Sequence, residues 1–336
     1  MADVGPVPTP PPGSAATDGL AWPCDFDARY GDGLRLGVSL GGGGVFFVAW
    51  QVAYLHQLAG CGVDLAGADR VVGTSAGAVV AAVLEARRIR RMHAELSVVA
   101  RLPKLLGALA PASGLRPSQI RAAEMFRHAA DADPAAIRAI GHAALAAQTS
   151  APSVMARKLG LILASRRWPS AALHITCVDT YTGERCIVTG SANVGVARAV
   201  AASSAVPGLF APQPIRDRRC MDGGVSGSGT HLDLLAGSQR VVVLALSDGR
   251  GIEHGMMTSA PGSTEQELAA LRASGSSLFY RVPTSVDPQA LMDPAAVPHA
   301  VEMGRRQATA DADELRAFLF STRSRAPAAP AWWSFR

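Results

Sequence analysis

Gly73-Thr74-Ser75-Ala76-Gly77 is the stretch on which the reading of this chain turns. A short β-type run, Arg70-Val71-Val72, precedes it. An apolar, Ala-rich run, Ala78-Val79-Val80-Ala81-Ala82-Val83-Leu84, follows. Gly and Ser are common residues, and the pentapeptide by itself suits an ordinary turn. Between a strand and a helix, however, G-x-S-x-G forms a nucleophile elbow. Gly73 and Gly77 then let strand and helix pack closely. Ser75 is pushed out at the turn over the helix N-terminus, where the helix dipole favours negative charge.

Upstream, Leu34-Arg35-Leu36-Gly37-Val38-Ser39-Leu40 reads as a mostly apolar strand, and Gly41-Gly42-Gly43-Gly44 follows it directly. A helix is predicted from about Phe46 to Ala59. The order strand, loop, helix, strand, elbow, helix predicts a mostly parallel sheet with helices on its faces. An acyl-transfer site needs a nucleophile, a base and an oxyanion trap. The glycine run is the candidate trap, because a turn without side chains can direct successive N–H groups into one concavity. A dinucleotide-binding turn is the rival reading. Gly42 and Gly44 match its first two glycines, but Phe47 stands at the third and no acidic residue follows in the right strand context. A tight turn with no chemical role is the remaining alternative.

Downstream, residues 88–168 read as helical, with apolar spacing near 3.6 over Ala122–Ala130 and Pro134–Ala147. This is where a cap over the site could be built. Strands return at Ala172–Val178 and Arg185–Val188, joined through the turn signal Thr182-Gly183. A helix is predicted over Val194–Ser203 and a central buried strand over Arg240–Leu246. Ser247–Thr264 reads as a Gly- and Met-rich loop, and a C-terminal helix is predicted over Pro298–Phe320. Residues 1–33, rich in Pro, Gly and Ala, read as a disordered arm. Residues 34–322 read as one catalytic domain and 323–336 as a tail.

Two candidate bases lie close together, Asp222 in Met221-Asp222-Gly223-Gly224 and His231. Ser75, Asp222 and His231 follow the order of an α/β-hydrolase triad, although that fold places several strands before its elbow and only two are visible here. Alternatively, Asp222 takes the serine proton directly. An ordinary Asp-Gly turn is the reading without chemistry.

Composition narrows the classes. The chain has 336 residues, 49% of them hydrophobic, with a formal charge of +5. The basic residues are scattered and no nucleic-acid motif is present, so no nucleic-acid partner is expected. The cluster Arg87-Arg88-Ile89-Arg90-Arg91 reads either as a solvated helix end or as a contact for anionic lipid. Five cysteines without a C-x-x-C pair, and histidines without ligand spacing, predict neither a disulfide framework nor a metal site. No secretory signal and no apolar run of about 18 residues is visible. A cytoplasmic protein is expected.

The glycine run, the G-x-S-x-G motif about thirty residues later, and the distant Asp222-Gly223-Gly224 together resemble the patatin-like phospholipases. Val178-Asp179-Thr180-Tyr181-Thr182-Gly183-Glu184 and Ala201-Ala202-Ser203-Ser204-Ala205-Val206-Pro207-Gly208-Leu209-Phe210 add to the likeness, which spans about 34–246. The resemblance implies a three-layer α/β/α domain and hydrolysis of fatty-acyl esters through an acyl-enzyme. Ser75 would be the nucleophile, Asp222 the base, and Gly42, Gly43 and Gly44 the oxyanion donors. No cofactor is implied. Acyl transfer from the same acyl-enzyme and a non-catalytic lipid-binding role are the alternatives.

One departure stands out. The family has Arg or Lys, then Gly, shortly after the glycine run, where this chain has Phe46 and Phe47. With Trp50 these side chains either pack the helix or line an acyl pocket suited to neutral esters. The C-terminal Trp332-Trp333-Ser334-Phe335-Arg336 suits either burial or a peripheral membrane contact.

Overall fold

The structure is a computed structural model that describes residues 18–99, 114–128, 133–165, 167–247 and 263–320. The expected tail 323–336, with Trp332 and Trp333, and Met256 and Met257 lie outside the described residues.

Among the described residues the chain runs β1 (Leu36–Leu40), α1 (Gly44–Gly60), β2 (Arg70–Gly73), α2 (Ala76–Glu85) and α3 (Ile89–Val99). Next come α4 (Pro117–Arg127), α5 (Pro134–Ala146), α6 (Pro152–Leu163), β3 (Leu173–Asp179), β4 (Arg185–Val188) and α7 (Val196–Ser203). It ends with β5 (Gln213–Ile215), β6 (Arg218–Asp222), β7 (Arg240–Leu244), α8 (Ser263–Ala273), β8 (Ser277–Arg281) and α9 (Val297–Phe320). The strands form one eight-stranded sheet along the path β5-β6-β3-β2-β1-β7-β8, with β4 also on β3. Pairs β3-β2, β2-β1, β1-β7 and β7-β8 are parallel, while β3-β4, β3-β6 and β5-β6 are antiparallel.

The period-2 alternation of a strand shows how both faces are covered. In β7, Val242 and Leu244 join one apolar cluster, with Trp50 and Tyr54 of α1 and with α2. Val241 and Val243 join another, with Leu232, Leu234 and Leu235 and with Leu268 and Leu271 of α8. Helices therefore flank a mostly parallel sheet, giving a mixed α/β fold of three layers. A third cluster joins Phe126 of α4 and Ile137 and Ile140 of α5 to Val178 and Met221. It holds the α4–α5 cap against the ends of β3 and β6.

The expected disordered arm 1–33 is corrected over 18–33. Leu20, Ala21 and Trp22 are buried, and Ala21 bridges Cys186. Trp22 N–H donates to the Arg185 carbonyl at 3.1 Å, and Ile187 N–H to the Leu20 carbonyl at 2.8 Å. These residues satisfy the outer edge of β4, which would otherwise expose unpaired backbone groups. Composition missed this because the apolar patch Leu20-Ala21-Trp22 is only three residues long. The expected last strand, at 240–246, is followed by a further helix and strand, α8 and β8. Edge strand β8 buries only Phe279 fully, so its pattern carries little signal.

Candidate active site

The elbow forms where β2 hands over to α2. Ser75 takes φ 52° and ψ −116°, a conformation that costs an L-residue energy and is held only by its surroundings. Its N–H donates to Ser203 Oγ at 2.9 Å, and its carbonyl accepts from Ser204 Oγ at 3.2 Å. Thr74 N–H donates to the Leu40 carbonyl at 3.1 Å, and Thr74 Oγ1 pairs with Thr176 Oγ1 at 2.9 Å. Gly77 has a steric cause: a Cβ there would overlap the Leu40 carbonyl at the end of β1. Ser203 and Ser204 stood in the sequence without a role. Nothing local predicts that the C-terminal end of α7 clamps the elbow.

Asp222 reaches Ser75 through the register of β3. β4 pairs with Ile175 to Val178 along one edge of β3. β2 and β6 must therefore share the opposite edge, because Ile175 also pairs with Gly73 and Cys177 also pairs with Asp222. β2 runs parallel to β3 and β6 antiparallel, so their ends meet head-on. Two residues of β3 separate the two pairings, a rise of about 7 Å. One strand ends at the elbow and the other at Asp222.

The Asp222 side chain is 1% exposed. Oδ1 accepts from Gly224 N–H at 2.9 Å, and Asp222 N–H donates to the Ala205 carbonyl at 3.1 Å. Among the described residues, Oδ2 is buried with no hydrogen-bond partner. Burial pushes the carboxyl up to about 7, against the opposing pull of Gly224 N–H and the Ser75 hydroxyl. A half-satisfied, buried carboxylate beside a strained serine is poised to exchange a proton near neutrality.

The glycine run is held from several sides. Gly41 N–H donates to the Leu244 carbonyl at 2.9 Å and Gly42 N–H to that of Gly229 at 3.3 Å, while Gln51 Nε2 donates to the Gly41 carbonyl at 3.0 Å. Gly42, expected as an oxyanion donor, thus has its N–H engaged within the fold. Gly43 and Gly44 make no such backbone bond among the described residues. Gly44 has φ +68°, and a Cβ there would lie 2.5 Å from the Leu291 carbonyl oxygen, so the turn requires glycine. Gly44 lines the cleft with Ser75 and Ala76. Ala76 N–H, at the start of α2, has no backbone acceptor either. The residue after an elbow nucleophile is a usual oxyanion donor, and that signal was available in the motif.

His231 is elsewhere in character. It is buried, with Nδ1 3.4 Å from Arg185 NH1, and Arg185 is itself paired with Asp233 at 2.6 Å. Burial and that guanidinium hold His231 well below its ordinary value, so it stays neutral. No hydrogen bond joins it to Ser75 or Asp222 among the described residues.

The expectation that Phe46, Phe47 and Trp50 line an acyl pocket is corrected. All three are buried in the core. Phe47 stacks on Trp50 at 5.4 Å and Trp50 on Tyr54 at 4.9 Å. Trp50 Nε1 donates to Gln307 Oε1 of α9 at 2.9 Å. The helix turns Val45 and Val48 to the cleft instead. The reason is angular: positions 46, 47, 50 and 54 follow the 3.6 period of the face packed on α9. The cleft itself is about 800 Å³, walled by residues such as Val79, Met92, Leu159 and Met155 from α2, α3 and α6. In the basic cluster, Arg87 pairs with Asp64 at 2.8 Å, Arg91 with Glu95 at 2.6 Å, and Arg88 donates to the Leu163 carbonyl at 2.7 Å.

Comparison with known proteins gives three results. The chain is similar in structure to VipD from Legionella pneumophila, at 14% identity and a TM-score of 0.38, over 83% of this chain and 66% of that one. It is also similar to the type III effector protein ExoU, at 17% identity and a TM-score of 0.33, over 83% of this chain and 53% of that one. The chain thus spans roughly two thirds and one half of these proteins. No protein of curated function matches it. The sequence model of the family described as patatin-like phospholipase matches residues 38–235. That match takes in the glycine run, the elbow and Asp222, more than half of the chain, and the protein belongs to the patatin-like phospholipases, a family of lipid acyl hydrolases.

Proposed function

We propose that this protein hydrolyses fatty-acyl esters through a Ser75–Asp222 dyad and an acyl-enzyme. The observation that carries the reading is the buried Asp222 carboxylate, half unpaired and raised to about 7, at the strand end that faces the elbow. Ionised Asp222 accepts the Ser75 proton as Oγ attacks the ester carbonyl. The oxyanion that forms is held by N–H groups of Gly43, Gly44 and Ala76, which lack backbone acceptors among the described residues. Asp222 returns the proton to the departing alcohol oxygen, and the ester C–O bond breaks. Water then enters, loses a proton to Asp222, and attacks the acyl-serine. The fatty acid leaves as Ser75 regains its proton.

His231 has no step in this scheme, because a neutral imidazole beside Arg185 would become a second buried cation on accepting a proton. The apolar cleft suits the acyl chain. Fluorophosphonate labelling tests the nucleophile: the adduct should map to Ser75 and vanish in S75A. D222A should lose about 10²–10⁴-fold in ester turnover, with H231A far less affected. A loss in H231A as deep as in D222A would reinstate the triad.

A further inference from the structure

Gln51 stands among apolar side chains. Its neighbours on α1, Trp50 and Val52, are fully buried, and Gln51 is itself 0% exposed. Its Nε2 donates to the Gly41 carbonyl at 3.0 Å, while among the described residues its Oε1 has no hydrogen-bond partner. A carbonyl oxygen only accepts, so Gly41 fixes which end of the amide faces it. An apolar side chain of similar size would fill the same space without burying an unpaired oxygen. Packing therefore does not account for an amide at this position.

What the amide holds is the first peptide of the glycine loop. No backbone N–H donates to the Gly41 carbonyl among the described residues, so Gln51 is its donor. The side chain reaches back to the loop because helical side chains lean toward the helix N-terminus. The Gly41 carbonyl and the Gly42 N–H belong to one planar unit. Gln51 grips one side of that unit, and the Gly229 carbonyl accepts from the other at 3.3 Å. Glycine stands on both sides of this peptide and lets it rotate at little cost, so its orientation depends on those two partners. Beyond the loop, Phe46 N–H donates to the Leu291 carbonyl at 3.1 Å. Gly43 and Gly44 lie between the two anchors. The gripped carbonyl also touches the elbow, since a Cβ on Gly77 would lie 2.7 Å from its oxygen.

We propose that Gln51 is a positioning residue, whose buried amide sets the Gly41–Gly42 peptide so that the N–H groups of Gly43 and Gly44 point to where the oxyanion forms. The proposal rests on reading those two glycines as oxyanion donors. Gln51 touches no reacting atom. Its loss weakens the hold on the transition state and leaves substrate binding in place.

Two variants test it. Q51M keeps the bulk and removes the donor; Q51N keeps an amide but is one methylene too short to reach Gly41. In both, kcat on a soluble ester should fall about tenfold or more, with KM within about twofold of wild type. Hydrogen exchange followed by NMR reads the loop without turnover. In Q51M the Gly42 N–H should exchange about tenfold or more faster than in wild type, with Val71 and Val242 unchanged. Wild-type kcat in either variant would overturn the proposal. So would an unchanged Gly42 exchange rate, or an equal acceleration at Val71 and Val242, which would make Gln51 a packing element of the whole fold. A rise in KM as large as the fall in kcat would overturn it too, by placing Gln51 in substrate binding. Absence of ester turnover in wild-type protein, with the exchange pattern as expected, would instead count against the dyad.

Discussion

Asp222→Asn should make this protein more stable while destroying its activity, and the gain should grow with pH. The Asp222 carboxyl is raised from an ordinary 3.8 to about 7, chiefly by burial. Between those two values the unfolded chain has released the proton and the folded chain keeps it. The folded state therefore binds more protons, and stability falls as pH rises through the window. Each unit is worth about 1.36 kcal/mol, so the full penalty above pH 7 is about 4 kcal/mol, and at pH 5 only about 1.6 kcal/mol. These are ceilings, because relaxation around the charged carboxylate returns part of the lost solvation. Asparagine keeps an oxygen to accept from Gly224 N–H and removes the titration. Urea unfolding of wild type and D222N at pH 5 and pH 8 reads the effect directly. The advantage of D222N should be larger at pH 8 by about 3 kcal/mol. Other buried groups titrate in both proteins alike and cancel in the difference. A D222N advantage that does not change between pH 5 and 8 would refute the raised carboxyl, and with it the argument that Asp222 is a base tuned to neutrality. On the same grounds, wild-type kcat/KM on a soluble ester should rise through an apparent pKa near 7 as the base ionises.

Three further outcomes follow from the geometry. G44A should lower kcat/KM by about 10²–10³, the cost of losing one oxyanion donor, because Cβ at φ +68° meets the Leu291 carbonyl; turnover within twofold of wild type would remove Gly44 from the trap. S203A leaves the Ser75 N–H without its acceptor at 2.9 Å and should cost about 1–3 kcal/mol in urea unfolding, together with slower fluorophosphonate labelling of Ser75. D233A strands the buried Arg185 guanidinium and should cost about 3–5 kcal/mol; a near-neutral result would mean that the pair is not desolvated.

Local structure was legible where neighbours in sequence are neighbours in space. β1, the glycine run, α1, β2 and the elbow follow one another without interruption, and alternation, glycine placement and apolar period all act within a few residues. The β3–β4 hairpin was readable for the same reason, through Thr182-Gly183. Phe46, Phe47 and Trp50 show the limit of that approach. Their proximity to the oxyanion loop in sequence suggested the cleft, but a helix distributes successive residues around its axis, and α9, some 250 residues later, claims that face. The order of residues 18–33 and the additional β8 depended on partners that composition does not name.

The sequence by itself determined the chemical types and their local setting: a serine at a strand-to-helix turn, a glycine loop after the first strand, and an aspartate at a strand end. What only the tertiary structure decided is that β2 and β6 meet head-on along one edge of β3, which brings residues 75 and 222 together. It also decided that Asp222 is buried with one oxygen unpaired, and that His231 is committed to Arg185. Strand register is set by long-range hydrogen bonding and by burial of both sheet faces. Burial is a property of the assembled layers, so the carboxyl acquires its raised proton affinity only once the fold has closed around it.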